Sequence, residues 1–232
     1  MHEKRVTVPQ HVGFILDGNR RWAKKHGVPP WEGHMAGYNV LKDIIDAVSD
    51  AGVRYISFYS WSTENWTRAE DEVQAVMKLI RRLFKSDINE LVKRDYKLVV
   101  LGGREKLPQD ISEMIDAAET ASSSGNRATL VMCFNYGGQQ EIARAAGRMI
   151  ADGVDGGSVT PEKFAQYLDH PEIPECDLIV RTSGEQRLSN FMLWRSAYSE
   201  FIFLDKFWPD MRAGDVTAIL EEYNRRNRRH GG

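Results

Sequence analysis

The chain has 232 residues, 42% of them hydrophobic and 28% charged, the composition of a folded globular protein rather than of a disordered, collagen-like or coiled-coil chain. One domain spanning 1–232 is expected. Its 31 Lys and Arg against 33 Asp and Glu give a formal net charge of -2, so no overall positive field points to nucleic acid, and any anion site must be local.

The first nine residues carry charge without an apolar core, unlike a signal peptide, and lead into a strand over 11–16. Further β-rich runs lie at 54–61, 96–101, 128–135, 177–181 and 201–203, separated by longer helical patterns. That alternation predicts an α/β fold with a central, mostly parallel sheet flanked by helices. Segment 70–94 reads as one long helix, because Val73, Val76, Met77, Ile80, Phe84, Ile88, Leu91 and Val92 recur at helical spacing behind the acidic opening Glu70-Asp71-Glu72. Its stripe is either packed core or the wall of an apolar channel. The glycine-rich stretch 152–158 reads as a surface loop. The most apolar runs, 55–61 and 128–134, fall far short of the roughly 18 residues of a membrane-spanning helix, which leaves peripheral attachment open. The cysteines, Cys133 and Cys176, stand without Cys-x-x-Cys or a His at zinc-ligand spacing, as expected of reduced packing residues in a cytoplasmic protein.

Ligands of open α/β sheets bind at the carboxyl ends of strands, so the turns after the strands carry the functional argument. Gly13 to Gly18 has Walker-loop glycine spacing, but Asn19-Arg20 follows where Lys and Ser or Thr are needed. Gly-x-Gly-x-x-Gly and Gly-x-Ser-x-Gly are absent. After the first strand, Asp17-Gly18-Asn19-Arg20-Arg21-Trp22 followed by Gly33-His34 supplies a carboxylate, two guanidiniums and a close-approach glycine. These are the parts that hold a diphosphate with a hard cation; a capped helix start with solvated arginines is the structural alternative. After the second, Ser62-Thr63-Glu64-Asn65-Trp66 with Arg68 is either turn and cap chemistry or a second binding segment. After the fifth, Arg181 to Asn190, with Arg187, Leu188 and Ser189, has the composition of an anion site. Glu200 places a carboxylate in apolar surroundings, where a metal or arginine partner is expected. Together the turns imply a substrate with more than one phosphate, bridged by Mg²⁺, and the 6 Trp and 9 Phe suggest that its remainder is apolar.

Over 11–231 the ordered set resembles the cis-prenyltransferases, the undecaprenyl and polyprenyl diphosphate synthase family. The resemblance is carried by His11-Val12-Gly13-Phe14-Ile15-Leu16-Asp17-Gly18-Asn19-Arg20-Arg21-Trp22-Ala23, Gly33-His34, Ser62 to Trp66, Asn135-Tyr136-Gly137-Gly138, Arg181 to Glu185, Arg187 to Phe191, Leu193-Trp194 and Trp208-Pro209. The Asp-Asp-x-x-Asp signature of the all-helical trans-type synthases is missing. The resemblance implies a parallel sheet with an apolar tunnel, and condensation of isopentenyl diphosphate with an allylic diphosphate such as farnesyl diphosphate. It implies Asp17 and Glu200 as magnesium carboxylates; Gly18, Asn19, Arg20, Arg21 and His34 on the allylic diphosphate; Arg181, Arg187 and Ser189 on isopentenyl diphosphate; and Asn65 as the catalytic residue assigned to proton removal, a neutral amide that would position the substrate or relay the proton to released diphosphate. It further implies a homodimer in which the C-terminal Arg229-His230-Gly231 reaches the partner site. Pro30 stands where many bacterial members have arginine, Gln186 where some have histidine, and Ser60 resembles members with a roomy tunnel. A short-chain or irregular condensing enzyme and a non-catalytic subunit of a heteromeric synthase are the alternatives; Asp17, Asn65, Arg181, Arg187 and Glu200 together argue against the latter.

Overall fold

In the computed structural model, which describes residues 8–226, all six runs form strands of one sheet: β1 His11–Ile15, β2 Tyr55–Ser62, β3 Tyr96–Leu101, β4 Ala128–Tyr136, β5 Leu178–Arg181 and β6 Glu200–Phe203. Their order is β3-β4-β2-β1-β5-β6 and every pairing is parallel. The helices are α1 Asn19–His26, α2 Pro30–Asp50, α3 Glu70–Arg82, α4 Ile88–Lys93, α5 Gln109–Ala121, α6 Gly138–Ala151, α7 Pro161–Ala165 and α8 Ala213–Arg225. The expected 229–231 segment lies outside the described residues.

A parallel sheet covered on both faces needs apolar side chains on both, and β1 is buried at every position. Alternation divides them. Leu98 and Val100 of β3 join the larger core with residues of α2, α3, α5 and α8, while Val99 and Leu101 join Cys133, Ile179 and Phe191 on the other face. Both cysteines are free and buried, and burial pushes the Cys176 thiol up to about 12, so they are packing residues. The edge strand β3 is closed by side chains: Ser122 Oγ accepts from Leu98 N at 3.0 Å and Glu119 Oε1 from Val100 N at 2.7 Å, which removes donors a second strand could use.

The single helix expected over 70–94 is instead two helices joined by a π-helical turn, Leu83–Asp87. One extra residue in the turn advances the helix phase by about 100°. Leu83, Phe84, Ile88 and Leu91 still pack on the core, while Val92 turns outward and is 39% exposed.

The long segment between β5 and β6 is tethered by a buried ion pair. Arg195 Nη1 donates to Glu141 Oε1 of α6 at 2.6 Å, with side chains 3% and 1% exposed. The remaining capacity of both groups is used: Arg195 Nη2 donates to Asp169 O at 2.6 Å, and Tyr136 Oη donates to Glu141 Oε2 at 2.6 Å. Such satisfaction is what a buried pair requires.

His11 titrates with a consequence for the whole fold. Its Nδ1 must donate to Pro174 O, 3.0 Å away, because a carbonyl only accepts; Nε2 then accepts from Ser57 Oγ at 2.6 Å. Burial of this neutral ring lowers its pKa from 6.5 to about 4. The unfolded chain therefore binds the proton more readily, and stability falls as pH drops from 6.5 to 4, by about 3 kcal/mol at the lower end. Urea titrations at intervals across that window should show the loss, and His11→Asn should flatten this part of the profile; an unchanged profile in the variant would contradict the assignment.

Candidate active site

Because the strands all run one way, their C-terminal ends share one side of the sheet, and there the turns singled out in the sequence meet. β1 delivers Asp17, whose main chain is pinned: its carbonyl accepts from Thr182 Oγ1 at 2.6 Å and from Trp208 N at 3.0 Å. Gly18 follows at φ 108°, a conformation costly for residues with a Cβ. A Cβ there would also lie 2.9 Å from the Phe207 ring and 3.1 Å from its Cα. The turn opens α1, whose first turn holds Arg20 and Arg21 and no acid.

The Asp17 carboxylate joins two of these segments. Oδ2 accepts from Arg181 Nη2 at 2.9 Å, and Oδ1 lies 3.2 Å from Arg21 Nη2. The Arg181 side chain is 5% exposed; Nη1 also donates to Ser189 Oγ at 2.9 Å and to the Arg187 carbonyl. A buried guanidinium held by one carboxylate and two neutral oxygens keeps a fixed orientation at the end of β5. Glu185 sits 3.1 Å from Arg21 and also accepts from Arg187, spanning the two arginine groups; these cations, Arg187 first, hold its carboxyl below the usual range.

His34 reaches the site because α2 crosses α1 closely: a Cβ on Gly33 would lie 2.1 Å from Asn19 O. Its Nε2 is 3.4 Å from Glu72 Oε1, the atom that also accepts from Arg68 Nη1 at 2.8 Å and lies 3.8 Å from Arg20 Nε. Burial, and then the neighbouring Arg68, lower the His34 pKa from its ordinary value. In the second turn, Asn65 Oδ1 accepts from Ser62 N at 3.0 Å while Ser62 Oγ accepts from Glu64 N at 3.1 Å, a reciprocal cap. The turn and cap chemistry weighed for this run is therefore present. Trp66 donates to Asn135 Oδ1 at 2.7 Å and packs edge-on against Trp61.

Two clefts of about 320 and 370 Å³ adjoin here and share Asp17, Asn19, His34 and Arg68; one is completed by Arg181, Arg187 and Ser189, the other by Gly18, Arg20 and Arg21. Each is the size of a small-ligand site. Between α2, the α3–α4 unit and the sheet lies a separate apolar seam lined by residues such as Leu41, Ile45, Phe58, Leu83 and Leu98. Its free space, about 40 Å³, admits a water or two. An open tunnel is not seen at this seam, which is bordered on one side by Lys42 at 3.4 Å from Asp87 and 3.1 Å from Glu90.

Some expected site residues stand elsewhere. Glu200 begins β6 and pairs with Leu178, whereas Arg181 pairs with Phe203. Three residues of strand, about 10 Å, separate it from the Asp17 end, and its carboxylate lies 3.2 Å from Arg226. The register thus sets Glu200 at the start of β6, apart from the Asp17 end within this chain. Trp22 donates to Asp210 at 2.8 Å and stacks on His26, Leu188 packs on the second core, and Thr63 Oγ1 is buried without a partner; Trp22, Thr63, Glu64, Trp66 and Leu188 line neither cleft. Glu72 was hidden in an acidic helix start, and Glu185, although inside the Arg181–Glu185 motif, was given no role from the sequence.

Residues 15–231 match the family model described as putative undecaprenyl diphosphate synthase. The chain belongs to that prenyltransferase family. It is 39% identical over 231 residues to an isoprenyl transferase of Agrobacterium fabrum, covering 98% of this chain and 94% of that one. It is 43% identical over 233 residues to a Thermobifida fusca trans,polycis-polyprenyl diphosphate synthase described as (2Z,6E)-farnesyl diphosphate specific, covering 98% and 82%. Among solved structures, lavandulyl diphosphate synthase from Lavandula x intermedia, in complex with dimethylallyl diphosphate, superposes with a TM-score of 0.90 at 33% identity over 97% of this chain and 99% of that one. A probable undecaprenyl diphosphate synthase from Campylobacter jejuni gives 0.83 at 25%, covering 100% of both. The prenyltransferase fold expected from the resemblance is thus the fold observed, and no helix among the described residues is long and apolar enough to cross a membrane.

Asp17→Asn keeps the side-chain shape but removes the charge beside buried Arg181. It should lower the unfolding free energy by about 1–3 kcal/mol, read from urea denaturation; unchanged stability would show that Arg181 does not depend on Asp17.

Proposed function

We propose that this prenyltransferase adds isopentenyl diphosphate to an allylic diphosphate such as farnesyl diphosphate, in cis, to give a Z-polyprenyl diphosphate. The observation that carries the reading is the junction at Asp17: one cleft with Arg20 and Arg21, a second with Arg181, Arg187 and Ser189, both in contact with the same carboxylate, in a subunit that also holds an apolar seam between α2, the α3–α4 unit and the sheet. Two arginine-lined clefts suit two diphosphate heads, and the seam suits two hydrocarbon tails.

In this reading Gly18, Asn19, Arg20, Arg21 and His34 hold the allylic diphosphate, and Arg181, Arg187 and Ser189 hold the isopentenyl one. The guanidiniums now occupied by Asp17, Glu72 and Glu185 transfer to the phosphates, which frees the Asp17 carboxylate. The described residues hold no group of three His, Cys, Asp or Glu able to keep a metal unaided. Mg²⁺ needs none, because it is ordinarily held by one or two carboxylates together with substrate phosphates and water, so Asp17 fits as its protein ligand. When bound there the ion supplies neutralisation of the charge that builds on the departing diphosphate. Arg20 and Arg21 share that task as the allylic C1–O bond breaks and the alkene of isopentenyl diphosphate attacks C1. Asn65 is an amide whose oxygen is already taken by Ser62 N; it can donate from its nitrogen but is too weak a base to take up the departing proton. It therefore orients the isopentenyl group, and the proton leaves to the released diphosphate.

The growing chain enters the seam by parting α2 from the α3–α4 unit. The resisting contacts of Lys42 with Asp87 and Glu90 are partly exposed, and such pairs are worth at most about 1 kcal/mol each. The narrowness of the seam favours a second reading in which the product stays short. A homodimer, with the 229–231 segment of each subunit completing the other's site, and a cytoplasmic location at the membrane surface belong to the same proposal.

Purified enzyme with Mg²⁺, labelled isopentenyl diphosphate and dimethylallyl, geranyl, farnesyl or geranylgeranyl diphosphate should yield butanol-extractable product, whose chromatographic length separates the two readings. Asp17→Asn should lower kcat/KM at least about a hundredfold, or 2.7 kcal/mol, with an unchanged circular dichroism spectrum. Absence of extractable label with every primer would overturn the proposal.

A further inference from the structure

We propose that Asn190 is a positioning residue that sets the loop of Arg187 and Ser189 against the turn of Asn65, through a junction built around Gly137. The inference rests on the condensation reading above and adds to it a residue that contacts neither cleft.

Asn190 joins three strand-end loops at once. Its carbonyl accepts from Gly138 N at 2.7 Å and its Oδ1 from Gln139 N at 2.8 Å, so one residue satisfies two of the amides that the start of α6 leaves without helical partners. That contact fixes the amide orientation. The oxygen faces α6, and Nδ2 donates to Glu64 Oε1 and Gln140 Oε1, both at 3.0 Å, which uses its two hydrogens. Glu64 precedes Asn65 in the turn after β2. Ser189 precedes Asn190 and accepts from Arg181, which in turn donates to Asp17. A continuous path of covalent and hydrogen bonds therefore runs from Asn65 through Glu64, Asn190 and Ser189 to Arg181.

Two further observations mark the junction as built. Ser189 and Asn190 hold φ of 49° and 67°; asparagine tolerates this left-handed region, while serine is held there against its preference. Gly137 has an extended backbone at φ -155° that any residue could adopt, so only space demands glycine. A Cβ there would lie 2.1 Å from Gln140 Oε1, 2.6 Å from Asn190 Nδ2 and 2.9 Å from Thr63 Oγ1, which belong to the same three loops. Burial works to raise the Glu64 pKa, but hydrogen bonds from Ser62 and Asn190 prevail and hold it below the usual carboxylate value, as a carboxylate fixed by donors requires.

The experiment is steady-state kinetics of wild type, Asn190→Ala, Asn190→Asp, Gly137→Ala and the double variant Asn190→Asp with Glu64→Gln. Asn190→Ala and Gly137→Ala should raise KM for isopentenyl diphosphate about tenfold and lower kcat, the scale of one lost orienting contact, with KM for the allylic primer within about twofold. Mere loss of folded enzyme would lower apparent kcat and leave both KM values alone. Asn190→Asp opposes two carboxylates and should be worse than alanine. The double variant exchanges amide for carboxylate across the same contact and should recover most of the loss. Hydrogen exchange provides a readout independent of turnover: the Gln139 amide should exchange faster in Asn190→Ala. Wild-type kinetic constants in the single variants, a double variant no better than Asn190→Asp, or unchanged Gln139 exchange would each overturn the inference. Absence of turnover in the wild type would instead overturn the reading on which it rests.

Discussion

The contact between Asp17 and Arg181 is the constraint on which the site depends. It closes the gap between the ends of adjacent parallel strands β1 and β5 with a guanidinium that is 5% exposed and a carboxylate that is 25% exposed. That asymmetry of burial sets its character. The cation is fixed by protein oxygens on several sides, while the anion keeps a face toward both clefts. A buried charge without its partner is expensive, so any ligand that draws the Asp17 carboxylate away must offer Arg181 another anion. Phosphate oxygens meet that condition.

The same logic extends around the rim. Three carboxylates, on Asp17, Glu72 and Glu185, hold Arg20, Arg21, Arg68, Arg181 and Arg187 in place. The protein thus stores its cationic groups against its own acids, oriented in advance, and in the proposed function binding exchanges one set of anions for another. Preorganised cations of this kind lose little freedom when a substrate arrives. Loops 62–68 and 182–191 are cross-braced for the same end, since neither has regular structure long enough to hold its arginines alone.

Much of this was legible in the sequence, and the failures are informative. The strands could be read because short β-branched and aromatic runs alternate with long amphipathic segments, a pattern only an α/β fold accommodates. Asp17 and Arg181 were legible because they directly follow apolar strands. The break in 70–94 was not, because a π turn costs one residue of phase and leaves composition unchanged. The place of Glu200 was hidden for a related reason: sequence puts it beside a strand without revealing which end of that strand it occupies, and a register of Leu178 against Glu200 decides that. Glu72 was hidden by its own plausibility, since an acidic first helical turn already has an explanation in the helix dipole. Asn190 stood within a recognised motif, yet its partners on Glu64 and Gln139 are 126 and 51 residues distant, beyond what spacing can show.

A crystal structure of the enzyme soaked with Mn²⁺ and inorganic diphosphate tests the central claim most directly, because the metal can be located by its anomalous signal. The account requires the metal on the Asp17 carboxylate and on diphosphate oxygens, with Arg181 bonded to phosphate. A diphosphate bound away from both clefts, with the Asp17–Arg181 contact undisturbed, would contradict it.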